Sequence, residues 1–355
     1  MDQRRDQLAH WAADIIRQQT EWQVNAELEV VSGDASFRRY FRLRASSGDG
    51  QPLSWIAVDA PADKEDNPRF VAIAQRWRSH QVAVPEVLAH DFDQGFMLLQ
   101  DFGDQLLWPA LHDGDDPGQR TRLYRAAIEQ LLHIQSLAAD DLPRYDPTLL
   151  DQEMALFRDW LCLRLLGMTL TPAEQQMLQT TFALLRQRAL AQPQVVVHRD
   201  FHSRNLMLLP SDSGSEAALL GVIDFQDAVC GAASYDLVSL LRDCYVRWPD
   251  ELVQQLALEY WQQATAAGIV HNSSEQFLHD FDWMGLQRHL KAAGIFARLH
   301  LRDGKDGYLN DIPNTCRYLL DISGRYAELS AFHQWLKQRF MPLLNQRFCT
   351  EEQPA

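Results

Sequence analysis

The sequence predicts an α+β protein in which a small β-rich lobe precedes a large, mostly helical lobe. Strand-like segments cluster in the first hundred residues, long helical segments dominate from about residue 104, and a short group of strands interrupts those helices. The chain has 355 residues, and a single hydrophobic core stops growing at roughly 250–300 residues, so two lobes are expected. We therefore predict an N-lobe over residues 1–100, a hinge over residues 101–104 and a C-lobe over residues 105–355.

The predicted N-lobe begins with a helix, because Leu8, Trp11 and Ile15 recur at helical spacing. β-branched and aromatic residues then mark the strands of an antiparallel sheet, and the last two strands form a hairpin around a short Asp-Gln-Gly turn. The strands are expected at residues 27–33, 37–44, 53–58, 87–92 and 95–100, with a further helix at residues 70–77.

The predicted C-lobe is helical apart from a small β insertion. Thr171 is expected to cap one helix, because Pro172 occupies the first helical position and Glu174 the capping-box position. The insertion comprises apolar strands at residues 194–198, 205–209 and 219–224, and a polar hairpin loop at residues 211–216 joins the last two. Other helices are predicted at residues 121–137, 151–166, 235–247, 252–267, 275–301 and 316–348.

The composition argues against several classes of protein. Acidic residues outnumber basic ones by 48 to 33, and the resulting net charge of −15 argues against a nucleic-acid partner. No stretch approaches about 18 uninterrupted apolar residues and the N-terminal segment is charged, so we expect no membrane partner and a cytoplasmic location. The five cysteines form no Cys-x-x-Cys pair, which argues against a structural zinc site. The sequence leaves the oligomeric state open.

The candidate catalytic residues lie at the ends of apolar strands. Asp200 follows the strand at residues 194–198, Asn205 comes five residues later, and Asp224 ends another apolar segment nineteen residues after Asn205. Phosphoryl transfer needs one carboxylate that orients and deprotonates an acceptor hydroxyl, and an Asn and a second Asp that hold Mg²⁺ on nucleotide phosphates. Each residue alone has an ordinary explanation as a turn or cap residue. Together they match the kinase pattern H-R-D-x-x-x-x-N followed by a magnesium aspartate.

The sequence Asp-Phe-Gly, in which kinases place the magnesium aspartate, occurs in a different segment of this chain. Asp101-Phe102-Gly103 precedes the catalytic segment by about a hundred residues, whereas a magnesium aspartate should follow it. We therefore assign this segment to the hinge, where backbone groups of Leu99, Gln100 and Asp101 are expected to form hydrogen bonds with an adenine.

The catalytic set, with Tyr235-Asp236-Leu237, resembles the aminoglycoside phosphotransferase and choline kinase branch of the protein-kinase-like fold, and the likeness covers essentially the whole chain. Residues 33–42, 224–228, 236–245 and 287–296 are, more narrowly, similar to the bacterial anomeric sugar kinases of cell-wall recycling. The resemblance implies a two-lobed kinase fold, with ATP and Mg²⁺ as cofactors. It implies the C1 hydroxyl of N-acetylmuramate and N-acetylglucosamine as the acceptor.

The resemblance also implies roles for individual residues. Asp200 would be the catalytic base, Asn205 and Asp224 the Mg²⁺ ligands, and Asp236 a brace of the catalytic loop. The nucleotide-covering loop would consist of Gly33, Asp34, Ala35, Ser36 and Phe37.

One position departs from the family pattern. The third strand ends in Asp59, where kinases place a phosphate-pairing lysine. We expect Lys64, Arg38 or Arg42 to supply that charge, unless ATP is held differently; an arginine would be a good bidentate phosphate partner.

The acceptor pocket is expected in the helical lobe. An N-acetylated sugar acid needs hydrogen-bond partners for its hydroxyls and amide, and a cation for its carboxylate. The candidates are His202, Arg204, Asp227, Arg288, His289 and Lys291. Two alternatives stay open: a kinase of the same fold that acts on an aminoglycoside, choline or homoserine, and a non-catalytic nucleotide-binding scaffold, which the missing lysine suggests.

Overall fold

The computed structural model describes residues 2–20, 22–33, 37–46, 50, 52–112, 116–210 and 219–348. The helices and strands are, in chain order, α1 (Gln3–Gln19), β1 (Gln23–Gly33), β2 (Arg39–Ser46), β3 (Pro52–Asp59), α2 (Asn67–Ser79), β4 (Val87–Asp91), β5 (Phe96–Gln100), α3 (Leu107–Ala110), α4 (Pro117–Gln135), α5 (Pro147–Leu156), α6 (Pro172–Ala191), β6 (Gln194–Val197), β7 (Leu206–Leu209), β8 (Leu219–Val222), β9 (Val229–Ala232), α7 (Tyr235–Leu241), α8 (Asp250–Ala266), α9 (Ser274–Asp303), α10 (Ile312–Ser323), α11 (Ser330–Trp335) and α12 (Met341–Phe348). A π-helical segment, Phe157–Leu165, continues α5.

The chain divides into two units. Unit 1 comprises Met1–Ala126 and Arg204–Gln226, and unit 2 comprises Ala127–Ser203 and Asp227–Ala355. The α+β class is confirmed, with strands concentrated at the front of the chain and helices at the back. The predicted lobe boundary at residues 101–104 stays a prediction. No helix in the described ranges has the length and apolar character needed to cross a membrane.

Unit 1 is built on a five-stranded antiparallel sheet in the order β1-β2-β3-β5-β4. Helix α1 packs on this sheet, because Leu8, Ala12 and Ile16 share one face and meet Phe41 and Trp55 in a common core. Strands β7 and β8 of the same unit form the predicted hairpin. The polar loop predicted at residues 211–216 lies outside the described residues.

Unit 2 is helical around the long helix α9. This helix has 30 residues, which corresponds to about 45 Å, and buried side chains lie along most of its length. Strand β6 pairs antiparallel with β9, a four-residue strand that the sequence analysis missed because it is too short to show a period. The predicted Thr171 cap is confirmed, since its side chain accepts from the N–H of Glu174 and the Glu174 side chain accepts in return.

The predicted helix at residues 316–348 is wrong as one continuous element. Helix α10 ends at Ser323, and α11 begins only at Ser330; the π-helical segment Leu336–Phe340 then joins α11 to α12. Gly324 is the C-cap residue of α10, and the N–H of Arg325 donates to the carbonyl of Ile322 at 3.0 Å. This turn ends the helix even though the apolar period continues through it.

Helix α9 depends on a close approach at Gly294. A Cβ atom at this position would overlap the backbone of Leu156 and Phe157. Gly294→Ala should therefore lower the free energy of unfolding by about 1–3 kcal/mol, the usual cost of overpacking, as measured by urea denaturation. Gly307→Ala is the control, because a Cβ there enters open space. Equal stability of the two variants would contradict this account.

Candidate active site

The segment at residues 198–203, which we call the catalytic loop, leaves β6 in a tight turn. Arg199 has φ of 78°, a left-handed conformation that costs a non-glycine residue roughly 1–2 kcal/mol. The N–H of Asp200 donates to His198 Nδ1 at 3.3 Å, and the N–H of His202 donates to the carbonyl of Asp200 at 3.0 Å. A strained turn of this kind persists only when the surrounding structure holds it in place.

Asp236, at the start of α7, holds the first part of the catalytic loop. Its carboxylate accepts from the N–H groups of His198 at 2.6 Å and Arg199 at 3.0 Å. The side chain is fully buried. Burial raises the pKa of Asp236 to about 7, although the two N–H donors act in the opposite direction. The residue that we expected to brace this loop thus lies against its strained backbone.

Asp243 holds the other end of the catalytic loop. Its Oδ2 accepts from both the N–H and the hydroxyl of Ser203, at 3.0 and 2.5 Å. Its Oδ1 accepts from the N–H of Tyr245 at 3.0 Å. Asp243 is fully buried, so its hydrogen bonds are shielded from competition with water. The sequence analysis did not assign it a role.

A buried cluster of charges fixes the Arg199 side chain. Glu153 on α5 accepts from Arg199 at 2.6 Å, and Lys291 Nζ lies 3.5 Å from the same oxygen. Lys291 also donates to the Tyr235 hydroxyl at 2.9 Å, and the Tyr145 hydroxyl donates to Glu153. Two cations therefore share one carboxylate, so the cluster itself has surplus positive charge.

That surplus acts on Asp200, the predicted base. Burial disfavours ionisation of the partly buried Asp200 side chain, but the positive charges of Lys291, His202, Arg199 and Arg288 outweigh burial and lower its pKa to about 2. At neutral pH the group is therefore a carboxylate, which is the form that accepts a proton.

The two predicted metal ligands lie together in unit 1. Asn205 precedes β7 and Asp224 follows β8, and the pairing of these strands brings the Asn205 Nδ2 atom to 3.3 Å from Asp224 Oδ2. The N–H of Ile223 donates to the carbonyl of Asn205 at 3.1 Å. Gln226 donates to Asp224 Oδ1 at 2.7 Å.

Asp224 is also strained, with φ of 65°. The next residue, Phe225, is fully buried against the rings of Phe70 and Trp77 on α2, at centroid distances of 4.9 and 5.7 Å. This packing anchors the segment and holds Asp224 in its left-handed conformation, as expected at a functional site.

Amide and carboxylate oxygens suit Mg²⁺, which proteins usually hold through one or two carboxylates while phosphates and waters complete the octahedron. The pair of Asn205 and Asp224 fits this donor set. In the part of the chain that the structure describes, no group of three or more His, Cys, Asp or Glu side chains could hold a metal on its own. The pair would therefore depend on a phosphate ligand.

Asp59, in place of the expected lysine, has a structural role. It is 1% exposed and accepts from Arg4 Nε of α1 at 3.0 Å and from Arg39 Nε of β2 at 3.1 Å. Asp59 and Arg39 face each other across the β2–β3 ladder. The carboxylate thus joins the N-terminal helix to the sheet.

The three cations proposed to replace that lysine have different surroundings. Arg38 is buried and pairs with Glu65 at 3.0 Å. Arg42 is buried and donates to Asp101 at 2.6 Å and to Asp104. Lys64 is half-exposed. Among these, the Arg38–Glu65 pair matches the lysine–glutamate ion pair of kinases in its chemistry, and the assignment stays a prediction.

The expected nucleotide-contacting residues are described only in part. Asp34, Ala35 and Ser36 lie outside the described residues. Gly33 ends β1, and the N–H of the exposed Phe37 donates to Glu65 at 3.0 Å.

In the expected hinge, Leu99 and Gln100 belong to β5, and the N–H of Gln100 donates to the carbonyl of Glu86 at 2.9 Å. Asp101 accepts from the N–H of Gly103 at 2.8 Å. Contacts of these groups with adenine stay predictions.

Three of the expected acceptor ligands are buried along α9. Lys291 belongs to the charge cluster, and Arg288 donates to the Cys244 sulfur at 3.4 Å. His289 Nε2 lies 2.9 Å from the carbonyl of Arg242, and burial lowers its pKa to about 3. These contacts favour structural and electrostatic roles for the three side chains.

The other acceptor candidates are more accessible. The His202 ring packs edge-on against Tyr245 at 5.2 Å, and the Arg204 guanidinium lies over the Trp108 ring at 5.3 Å. Asp227 is exposed. Their contacts with an acceptor stay predictions.

Comparison with known proteins gives consistent results. Residues 27–269 match the model of the phosphotransferase enzyme family. A relative from Pseudomonas putida is 42% identical over 336 residues, with 93% of this chain and 94% of the relative covered. Another from Neisseria meningitidis serogroup B is 40% identical, with 94% and 95% covered. Both relatives are named N-acetylmuramate/N-acetylglucosamine kinase.

The solved structure of an ethanolamine kinase from Plasmodium vivax is similar with a TM-score of 0.60. It covers 87% of this chain and 86% of its own, at 10% identity. At that identity the likeness shows the fold alone, and it confirms the predicted kinase-like fold.

The Asp236 anchor can be tested without reference to activity. Asp236→Asn replaces one acceptor oxygen with an NH₂ donor that faces a backbone N–H, so we expect the free energy of unfolding to fall by about 1–3 kcal/mol. Amide hydrogen exchange at Arg199 should accelerate. Asp140→Asn, at an exposed carboxylate, is the control and should change neither quantity. Unaltered exchange at Arg199 in Asp236→Asn would show that the anchor is unimportant.

Proposed function

The chain belongs to the phosphotransferase enzyme family, and we propose that it is an ATP- and Mg²⁺-dependent kinase for the anomeric C1 hydroxyl of N-acetylmuramate and N-acetylglucosamine. As a member of this family it is an enzyme that transfers a phosphoryl group to an alcohol. Relatives at 40–42% identity are named as kinases of these two sugars. Such a reaction would serve peptidoglycan recycling in the cytoplasm, where ATP is available.

The observation that carries the proposal is the anchored catalytic loop with an ionised Asp200. Asp236 and Asp243 hold the two ends of this loop through backbone and hydroxyl hydrogen bonds. Asp200 would accept a hydrogen bond from the C1 hydroxyl, orient its oxygen toward the γ-phosphate and take its proton as the new P–O bond forms and the bond between the γ-phosphorus and the departing ADP breaks. Positioning of this kind supplies much of the rate in phosphoryl transfer.

Asn205 and Asp224 would hold Mg²⁺ through their oxygens. The ion, when bound, neutralises negative charge that develops on the transferred phosphate. Gln226 restrains one Asp224 oxygen, and so directs the other toward Asn205.

The two alternatives are less consistent with the charges. Choline and aminoglycosides are cationic, whereas the charges that act most strongly on Asp200 are the cations Lys291, His202, Arg199 and Arg288. A cationic acceptor would be repelled from this base. The scaffold alternative depended on Asp59, and the structural role of Asp59 in joining α1 to the sheet explains that residue without loss of activity.

Asp200→Asn tests both the reaction and the base. The variant keeps the shape of the side chain but cannot take a proton, so we expect kcat to fall by about 10²- to 10⁴-fold while ATP binding is retained. Phosphorus NMR of protein with ATP, Mg²⁺ and N-acetylmuramate should show a sugar 1-phosphate signal for the unaltered chain and almost none for the variant. Turnover by Asp200→Asn at the normal rate would exclude Asp200 as the base.

The pH dependence tests the origin of the low Asp200 pKa. With a pKa of about 2, Asp200 stays ionised above pH 4 and should not limit kcat/KM there. Lys291→Met removes the largest of the charges that lower this pKa, so the carboxylate should gain protons at a higher pH. We expect the acidic limb of the kcat/KM profile of the variant to lie at a higher pH than that of the unaltered chain. Parallel pH profiles would show that Lys291 does not act on the base.

A further inference from the structure

Arg298, which the sequence analysis did not single out, combines partial burial with the lack of a counter-ion among the described residues. It lies on α9, its side chain is partly buried, and its Nε atom is shielded from solvent with no hydrogen-bond acceptor in the described part of the chain. It forms no ion pair with any described residue. Arg242, another shielded arginine of unit 2, pairs instead with Asp282 at 2.5 Å.

The electrostatic surroundings of Arg298 are unfavourable for a cation. Burial and the like charge of Arg302, four residues further along α9, lower its pKa, while Asp303 and Glu153 act weakly in the opposite direction. Arg302 already holds Asp303 at 2.7 Å. Charged groups that lose part of their hydration are normally paired, so this partly buried guanidinium is suited to meet its counter-ion in a ligand.

Arg298 lies on the side of α9 that faces the charge cluster of the catalytic loop. It follows Lys291 by seven residues, or two helical turns, which places the two cations on the same face about 10 Å apart along the axis. Glu153, which contacts Lys291 and Arg199, is also within electrostatic range of Arg298.

Two of the cations that were expected to bind an acceptor, Lys291 and Arg288, already have partners within unit 2. Lys291 is held by Glu153 and Tyr235, and Arg288 contacts the Cys244 sulfur in the core. A guanidinium is well suited to a carboxylate, because its planar N–H groups form two parallel hydrogen bonds.

We propose that Arg298 binds the carboxylate of an acidic acceptor, namely the lactyl carboxylate that N-acetylmuramate has and N-acetylglucosamine lacks. This assignment rests on the proposed function, since it concerns the acceptor of that same reaction. Arg298 would then make the enzyme favour the acidic sugar without being needed for transfer to the neutral one.

The two sugars provide the test, because they differ only in the lactyl group. Arg298→Gln should raise KM for N-acetylmuramate by about 10- to 100-fold, the effect of losing a hydrogen bond to a charged group. KM for N-acetylglucosamine, KM for ATP and kcat for both sugars should stay within about twofold. KM of Arg298→Lys for N-acetylmuramate should lie between the values for the unaltered chain and for Arg298→Gln, because lysine keeps the charge but not the bidentate geometry. Arg325→Gln, at an exposed surface arginine, is the control.

The outcomes distinguish failure of the Arg298 assignment from failure of the proposed function. Equal losses for both sugars, or a raised KM for ATP, would overturn the assignment, because Arg298 would then support the fold or the nucleotide. Unchanged KM for both sugars would overturn it as well. If the unaltered chain phosphorylates neither sugar, the proposed function itself fails and the assignment falls with it. Thermal unfolding of each variant shows whether a loss of activity toward both sugars arises from loss of the folded state.

Discussion

The position of Asp200 depends on the attachment of the catalytic loop to two buried carboxylates. Asp236 accepts from the backbone N–H groups at the start of the loop, and Asp243, seven residues further along the chain, accepts from Ser203 at its end. These hydrogen bonds offset the left-handed conformation of Arg199. Because both anchors belong to one short stretch, residues 236–243, the backbone on both sides of Asp200 is held by the same part of the chain.

The balance of charges around the catalytic loop determines the ionisation of Asp200, the proposed base. Glu153 is shared by Arg199 and Lys291, so one carboxylate faces two cations and the excess acts on Asp200. Burial alone would raise the pKa of Asp200, yet the surrounding cations lower it to about 2. The same cations disfavour a positively charged acceptor and favour a neutral or acidic one. One electrostatic arrangement thus keeps Asp200, the proposed base, ionised and would contribute to the choice of acceptor in the proposed reaction.

The departures from the kinase pattern in unit 1 have structural explanations. Asp59 joins α1 to the sheet through Arg4 and Arg39. Arg42 joins β2 to the segment after β5 through Asp101, so the Asp101-Phe102-Gly103 sequence serves a structural ion pair. A motif therefore has to be judged by what its side chains contact, since Asp-Phe occurs in two settings here, at residues 101–102 and at residues 224–225.

The sequence by itself determined the α+β class and the order of most elements, and it predicted the set of Asp200, Asn205 and Asp224, because strand patterns and a fixed catalytic spacing are local properties of the chain. It did not reveal the roles of Asp243 and Glu153, or the isolation of Arg298, because hydrogen bonds and charge pairing join residues far apart in sequence. It also listed Arg288, His289 and Lys291 as equivalent candidates. Only the tertiary structure decided which cations are buried with partners, since burial and distance, which set the strength of electrostatic interactions, arise from packing.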